Sequence, residues 1–202
     1  MSISHYDLFT CNIARKNDRG IALYGSTWLK ASLLTVNNAI LERIWITLNL
    51  TGKYKLHIGC LYRSPTSTSA NCDTINKQIK ESGRNGDALY ALILGDFNLS
   101  GINWATWISG TNSIVEQEFI STLEDCFLFP HITNPTRGGI EQKPHILDLV
   151  ITNLEGMIYD LDHRAPLSKS DHAVLSFSLN RCTERQISYC AKRHYARETI
   201  RA

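Results

Sequence analysis

The chain has 202 residues, of which 43% are hydrophobic and 20% charged, and its formal net charge is +2. This length and balance predict one sizeable domain with its own core. No apolar run reaches the roughly 18 residues that a membrane-spanning helix needs, and residues 1–18 lack the basic start and long apolar stretch of a signal peptide. We therefore expect an intracellular protein, neither secreted nor embedded in a membrane.

The charge is unevenly distributed along the chain. Residues 181–202 contain six Lys or Arg residues and two Glu residues, a net +4, so residues 1–180 carry −2. A near-neutral domain followed by a basic stretch is compatible with a polyanionic partner, although a solvated basic helix accounts for the same charge. We expect a domain at 1–180 and a basic helical connector at 181–202.

The cysteines and histidines give no sign of a disulfide framework or a zinc site. The six cysteines form no C-x-x-C pair, and the seven histidines do not cluster as metal ligands do. Cys60 lies within an apolar run, where a reduced thiol packs as a small hydrophobic group. This usage favours a reducing compartment.

The periodicity of the apolar residues predicts mainly strands, with a few helices between them. The predicted elements are strands at 20–25, 43–50 and 54–63, a helix near 72–82, a strand at 88–95, a helix at 113–127, and strands at 145–152 and 173–179. Ser113 and Glu116 predict a capping box at the start of the second helix, and Phe119, Leu123 and Phe127 recur at helical spacing. Hairpins with inserted helices predict α/β layers with substantial antiparallel pairing.

Polar residues gather at the ends of the predicted strands. They form four clusters: Tyr62 with Arg63, Asp96 with Asn98, Asp148 alone, and Asp171 with His172. Each cluster has a structural explanation when taken singly, such as a turn closed by an Asp-x-Asn side chain. Asp148 resists that explanation, because an unpaired carboxylate between Leu147 and Leu149 is costly to desolvate unless a histidine or a cation compensates it.

Taken together, the four clusters suit the hydrolysis of a phosphodiester. That reaction needs a hard divalent cation near the phosphate oxygens, a group that positions water, and an acid for the leaving oxygen. Aspartate and asparagine oxygens suit Mg²⁺, and a histidine held by a carboxylate can carry a proton or stabilise developing charge. The sequence therefore predicts a phosphodiesterase site.

The same motifs, in this order, resemble the endonuclease/exonuclease/phosphatase family. More narrowly, they are similar to the apurinic-type endonuclease domain of non-LTR (LINE-like) retrotransposon polyproteins. The similar phrases are LERIWITL, IGCLYRSP, LILGDFNLSGINW, NPTRGG with ILDLVITN, and SDHAVLSFSL. The resemblance covers about residues 5–180. It implies an α/β fold of the α+β type: a four-layer α/β-sandwich in which two mainly antiparallel β-sheets pack face to face with outer helices.

The resemblance also implies a role for each matching residue. Asp96 would orient the attacking water or protonate the leaving oxygen, and His172 would bind the scissile phosphate while Asp148 orients it. Tyr62, which would contact the phosphate, and Asn98, which would help to hold the phosphate and the water, are implied as catalytic and substrate-binding residues. Arg63 is implied as a further substrate-binding residue. Asp171 would lie beside the metal ion, Mg²⁺ or Mn²⁺.

Two parts of the family pattern are missing from this sequence. Related enzymes begin with a strand that ends in a metal-site Asn, and a second strand carries the principal metal-binding Glu, whereas residues 6–25 resemble the segment downstream of both. The pair Asn12 and Glu42 is similarly separated, but Glu42 lies in a segment that matches a later strand, and STWL at 26–29 has Ser26 in the position of the family's Glu. We interpret both matches as coincidences. We therefore expect an N-terminally truncated copy with weak Mg²⁺ binding and weak or no hydrolysis.

The leading functional hypothesis is a metal-dependent DNA endonuclease domain of a retroelement, fused in the full element to a reverse transcriptase and acting in the nucleus. One alternative is a catalytically silent nucleic-acid-binding remnant. Another keeps the fold but changes the substrate, to that of a phosphatase or an RNA nuclease. Trp104 and Trp107, which follow the Asp96 motif, could stack on a base, but packing in the core is the favoured role for both.

Overall fold

The computed structural model describes residues 3–12, 20–34, 42–50, 54–84, 90–110, 113–138 and 143–180. The predicted connector at 181–202 lies outside the described residues. The strands are β1 (Tyr6–Asn12), β2 (Gly20–Ser26), β3 (Ser32–Leu33), β4 (Arg43–Asn49), β5 (Lys55–Tyr62), β6 (Tyr90–Asp96), β7 (Ile102–Asn103), β8 (Ile108–Ser109), β9 (Phe129–Pro130), β10 (Asp148–Thr152), β11 (Ile158–Arg164) and β12 (Val174–Leu179). The α-helices are α1 (Ser69–Arg84) and α2 (Ile114–Asp125), and the short 3-10 helices are Thr27–Leu29 and Glu155–Met157. No described helix is long and apolar enough to cross a membrane.

A mixed six-stranded sheet forms the centre of the fold. Its strand order is β3-β4-β5-β6-β10-β9. The β4–β5 pair is antiparallel over Arg43↔Leu61 to Asn49↔Lys55, as the predicted hairpin requires. Strands β5 and β6 are parallel, because α1 forms the crossover between them; the other neighbouring pairs are antiparallel.

The two faces of this sheet bury two separate clusters of apolar side chains. On one face, Ile75 of α1 and Phe119 of α2 pack with Trp45 of β4. On the other face, the β1–β2 pair and the β11–β12 pair cover a cluster that includes Ile46 and Val150. The described chain is therefore layered as helices, a central sheet and a second layer of strand pairs.

The predicted α/β class with two facing β-layers is confirmed. Among the described residues both α-helices pack on the central sheet, and a helical layer outside the strand pairs is not among them. Strands β1 and β11 were not predicted from the sequence. In β11 the outward-facing positions carry Asp160, Asp162 and Arg164, which leaves no continuous apolar run.

The predicted capping box at the start of α2 is wrong. Ser113 is the N-cap residue, but its side chain makes no capping hydrogen bond. The buried Glu116 carboxylate instead accepts hydrogen bonds from the Gly101 N–H (2.8 Å) and the Ser109 hydroxyl (2.6 Å). A buried carboxylate needs strong donors, and the β7–β8 hairpin supplies them. Phe127, predicted on the buried face of the helix, lies beyond its end and is exposed.

Gly95, the residue before Asp96, is required by the packing of β6 against β5. Its φ is +153°, and a Cβ at this position would lie 1.8 Å from the Leu61 carbonyl oxygen. We expect Gly95→Ala to lower the free energy of unfolding by about 3 kcal/mol or more, because a disfavoured backbone angle coincides with a clash against backbone. Urea denaturation followed by circular dichroism measures the loss. Gly156→Ala is the matched control, since a Cβ there meets nothing within 4 Å; equal losses in the two variants would contradict the prediction.

The described cysteines Cys11, Cys60, Cys72 and Cys126 are free thiols. Burial raises the pKa of the Cys60 thiol to about 11. This thiol therefore stays protonated near neutral pH, as a packed hydrophobic group does.

Candidate active site

Three neighbouring strands align three of the predicted site residues at one end of the central sheet. Strands β5 and β6 run parallel and end at Tyr62 and Asp96, while β10 runs in the opposite direction and begins at Asp148. The register pairs Tyr62 with Asp96 and Asp96 with Asp148. Residues paired in register share a face of the sheet, so the three side chains lie on the face that the strand pairs cover.

His172 completes the group from the second layer of strands. It lies just before β12, and its Nδ1 donates a hydrogen bond to Asp148 Oδ2 at 2.8 Å. An ionised carboxylate can only accept a hydrogen bond, so the proton in this contact is carried by Nδ1 of the imidazole. Both side chains are about three-quarters buried. The contact expected between Asp148 and His172 is therefore present in the structure, and it leaves Nε2 for another partner.

Thr136 fixes the start of β10 and hence the position of Asp148. Its buried hydroxyl oxygen accepts hydrogen bonds from the N–H groups of Leu147 and Asp148, both at 3.0 Å. Its carbonyl accepts one from the Ala173 N–H at 2.7 Å. One residue thus ties together the two segments that carry Asp148 and His172, although the sequence analysis did not select it.

Asp171 is held by an arginine that the sequence analysis also missed. Arg137 Nε donates to Asp171 Oδ2 at 2.7 Å, and this hydrogen bond is the main reason that the pKa of Asp171 lies below its usual range. The second oxygen, Asp171 Oδ1, is 3.9 Å from His172 Nε2. The only signal in the sequence was the position of Thr136-Arg137 within the NPTRGG phrase.

The structure places Arg63 differently from the expected substrate contact. Its guanidinium is buried, and Nη1 donates to the carbonyl oxygens of Phe97 (3.3 Å) and Asn98 (3.1 Å), while Nε donates to Cys72 Sγ (3.2 Å). Turned into the protein, it holds the loop that follows β6. We therefore assign Arg63 a structural role.

Asn98 is held close to Asp96 by the same loop. It adopts φ +49°, a conformation that asparagine tolerates better than most residues. Its Nδ2 donates to the Arg63 carbonyl oxygen at 3.0 Å, and its N–H donates to Asp96 Oδ1 at 3.2 Å. The GDFN motif therefore folds so that the side chain of Asp96 and the amide of Asn98 are neighbours.

The environment of Asp96 favours its protonated form. Burial is the main cause that raises the pKa of this carboxyl, and repulsion by the Asp148 carboxylate adds to it. The imidazole of His172 and the hydrogen bonds from Asn98 act in the opposite direction. Two carboxyl groups in unlike environments can divide acid and base roles between them.

The donor set has the chemistry that a hard divalent cation requires. Ligand atoms of Asp96, Asp148 and His172 all lie within 4.8 Å of one another. Carboxylate oxygens suit Mg²⁺ and Mn²⁺, whereas an imidazole suits metals such as Zn²⁺ and Fe²⁺. Asp171, the expected metal neighbour, is outside this group and is paired with Arg137.

The tryptophans that follow the site pack into the core. Trp104 is buried and makes edge-to-face contacts with Trp107 and Phe119. Trp107 is partly buried against the same cluster. The structure therefore agrees with the favoured prediction, which was packing in the core and not stacking on a base.

A family model described as endonuclease-reverse transcriptase matches residues 56–176. That range includes Tyr62, Asp96, Asp148 and His172. The chain belongs to this family. The resemblance inferred from the sequence motifs is thereby confirmed, including the endonuclease/exonuclease/phosphatase relationship.

Solved structures similar to this member of the family share its fold at low sequence identity. The endonuclease domain of TRAS1, a telomere-specific non-LTR retrotransposon, superposes with a TM-score of 0.66 at 14% identity, over 88% of this chain and 81% of that one. A mannosyl-6-phosphatase of Bacteroides thetaiotaomicron gives a TM-score of 0.54 at 15% identity, over 88% and 78%. The catalytic domain of human Nocturnin gives 0.51 at 15% identity, over 87% and 73%. No curated protein matches the chain significantly.

Proposed function

We propose that this chain carries a divalent-metal-dependent DNA endonuclease domain of a retroelement, within residues 1–180. The observation that supports it most is the convergence of Asp96, Asp148 and His172 within the segment that the endonuclease-reverse transcriptase model matches. The fold alone does not choose the substrate, because similar structures include a sugar phosphatase.

In this proposal His172 and Asp148 act as a pair. Asp148 holds the imidazole through Nδ1 at 2.8 Å, which fixes the orientation of the ring. Nε2 then donates a hydrogen bond to a non-bridging oxygen of the scissile phosphate, where negative charge increases as water attacks.

Asp96 supplies the proton that the leaving oxygen needs. Its raised pKa keeps part of the population protonated at a pH where an exposed aspartate is ionised, and such a group is an effective general acid. The proton that the attacking water loses passes to solvent, and the Asp96 carboxylate takes up a proton from solvent after the leaving group has departed, so the site returns to its starting state.

Tyr62 and Asn98 bind the phosphate without adding charge. Tyr62 is paired in register with Asp96 on the same face of the sheet, which supports a phosphate contact for its phenol. Asn98 lies two residues after Asp96, and its side-chain amide is held by a hydrogen bond that it donates to the Arg63 carbonyl oxygen. Neutral donors at these two positions can hold a phosphate oxygen and a water molecule together.

The oxygens of Asp148 and Asp96 that are not engaged elsewhere would hold the divalent cation, which when bound draws negative charge from the phosphate oxygens. We propose that the cation binds weakly. Asp148 Oδ2 is already bonded to His172, and Asp171 is paired with Arg137, so few carboxylate oxygens of the described site remain for it. Hydrolysis should accordingly be slow and should need millimolar Mg²⁺ or Mn²⁺.

The basic stretch at 181–202 is proposed as the start of a connector to a reverse transcriptase, which the family description names as the companion activity. Its net +4 charge would also favour DNA through sequence-independent contacts with phosphates. A genomic DNA substrate would place the protein in the nucleus.

A substrate panel tests the proposed function. Purified chain is incubated with supercoiled plasmid, single-stranded RNA, mannose 6-phosphate and a nitrophenyl phosphomonoester, in millimolar MnCl₂ or in EDTA. We expect slow nicking of the plasmid that EDTA abolishes, with no release of phosphate from the monoesters. Asp96→Asn protein prepared in parallel shows any contaminating nuclease. Phosphate release without nicking would favour a phosphatase, and plasmid binding without nicking would favour a silent nucleic-acid-binding domain; either result contradicts the proposal.

A further inference from the structure

Arg137 lies beside the candidate active site but has no part in the mechanism above. Its backbone forms isolated β-bridges with His145 and His172. Its Nε is 2.7 Å from Asp171 Oδ2, and Asp171 Oδ1 is 3.9 Å from His172 Nε2. The guanidinium is therefore fixed next to the imidazole, with a single carboxylate between them.

Most of the hydrogen-bonding capacity of this guanidinium is unused. Arginine carries five N–H donors, and Asp171 takes the one on Nε. Within the described part of the chain, Nη1 and Nη2 have no partner. The side chain is 40% exposed, so both nitrogens are accessible from solvent. Paired N–H groups of this kind match the oxygens of a phosphate.

The charges around the site favour such a cation. Asp96, Asp148 and Asp171 bring three carboxyl groups to the place where an anionic DNA backbone must bind. Among the arginines and lysines in the described ranges, only Arg137 forms an ion pair with one of these three aspartates. Arg63 cannot take this part, because its guanidinium is buried and bonded to the loop after β6.

We propose that Arg137 is a substrate-binding residue whose Nη atoms bind a backbone phosphate of the nucleic acid beside the bond to be cleaved, and that Asp171 orients its guanidinium. This inference rests on the proposed function and names a phosphate contact within it. A purely structural role for the ion pair would stabilise the fold only slightly, since both partners are 40% exposed. It would leave DNA affinity unchanged.

DNA binding measured without catalysis tests this inference. A fluorescently labelled duplex is titrated in EDTA, and the affinity is followed by anisotropy between about 50 and 200 mM NaCl. We expect Arg137→Gln to weaken binding about 10-fold and to reduce the slope of log K against log salt by about 1, as the loss of one phosphate contact does. Arg137→Lys keeps the charge, so we expect it to retain the slope with a smaller loss of affinity.

Lys80→Gln is the matched control. Lys80 is also ion-paired with an aspartate, Asp125, at 3.1 Å, but it belongs to α1 on the other face of the sheet. In the nicking assay Arg137→Gln should raise KM more than it lowers kcat, and circular dichroism verifies that each variant is folded. If Arg137→Gln fails to fold, the comparison of Arg137→Lys with Lys80→Gln decides, because only the first should lose affinity.

The outcomes separate this inference from the proposed function. If the unsubstituted chain binds and nicks DNA while both Arg137 variants behave as Lys80→Gln does, the Arg137 contact is wrong and the endonuclease proposal stands. If the unsubstituted chain does not bind DNA, both are overturned.

Discussion

Replacing Asp96 by asparagine is expected to lower the rate of plasmid nicking about 10³-fold while the chain stays folded. The amide has nearly the same shape and can still accept the Asn98 N–H hydrogen bond, but it cannot give up or take a proton, and general acid–base groups contribute factors of about 10² to 10⁴. Single-turnover nicking at saturating Mn²⁺ measures the loss. Asp125→Asn, on α2 and 60% exposed, is the control and should nick at the unsubstituted rate.

The same substitution is expected to stabilise the protein near neutral pH. Because the pKa of Asp96 is raised in the folded chain, the native state holds this proton to a higher pH than the unfolded state does. Its ionisation therefore destabilises the native state as pH rises from the ordinary aspartate pKa through the folded pKa, and the deficit remains above it. An asparagine side chain, which does not ionise, would remove that deficit at neutral pH. The difference in the free energy of unfolding should shrink toward acid pH, and urea denaturation across pH measures it. A less stable Asp96→Asn protein at neutral pH would contradict the electrostatic account.

The second large effect is expected from the Asp148–His172 pair. We expect His172→Gln and Asp148→Asn each to lower the nicking rate about 10²-fold or more, because the first removes the donor to the phosphate and the second removes the carboxylate that orients it. The double variant should be no more than a few-fold slower than the worse single variant, since residues that act as a unit lose function together.

A double-mutant cycle on plasmid nicking measures this coupling. Multiplied losses in the double variant would mean that the 2.8 Å contact has no part in catalysis. Thermal unfolding of each variant is the control, because a carboxylate left without its imidazole partner can also reduce stability.

The site residues that could be predicted from the sequence are those that lie at the ends of regular strands. Polar residues at the ends of apolar runs can be located from the sequence, and Asp96 and Asp148 lie where the two antiparallel strands β6 and β10 bring them opposite one another. The cost of a carboxylate flanked by leucines predicted a histidine or a cation as the partner of Asp148, and the family resemblance implied that the histidine is His172.

Residues whose roles depend on irregular segments were not predicted. Thr136 and Arg137 act through bridges to distant residues, and no periodicity marks them. Arg63 was expected to bind substrate from the family resemblance, but its guanidinium is buried and holds the loop that follows β6. Glu116 matched a capping box, yet its carboxylate accepts hydrogen bonds from Gly101 and Ser109 of the hairpin that precedes the helix.

The central claim is that Asp96 and His172 belong to one phosphodiesterase centre. It is tested most directly by the nicking rate of the Asp96→Asn/His172→Gln double variant beside the two single variants in millimolar Mn²⁺. The account predicts that both single variants are impaired by about 10² or more and that the double variant is about as slow as Asp96→Asn alone. Nicking by Asp96→Asn protein at the unsubstituted rate would contradict it.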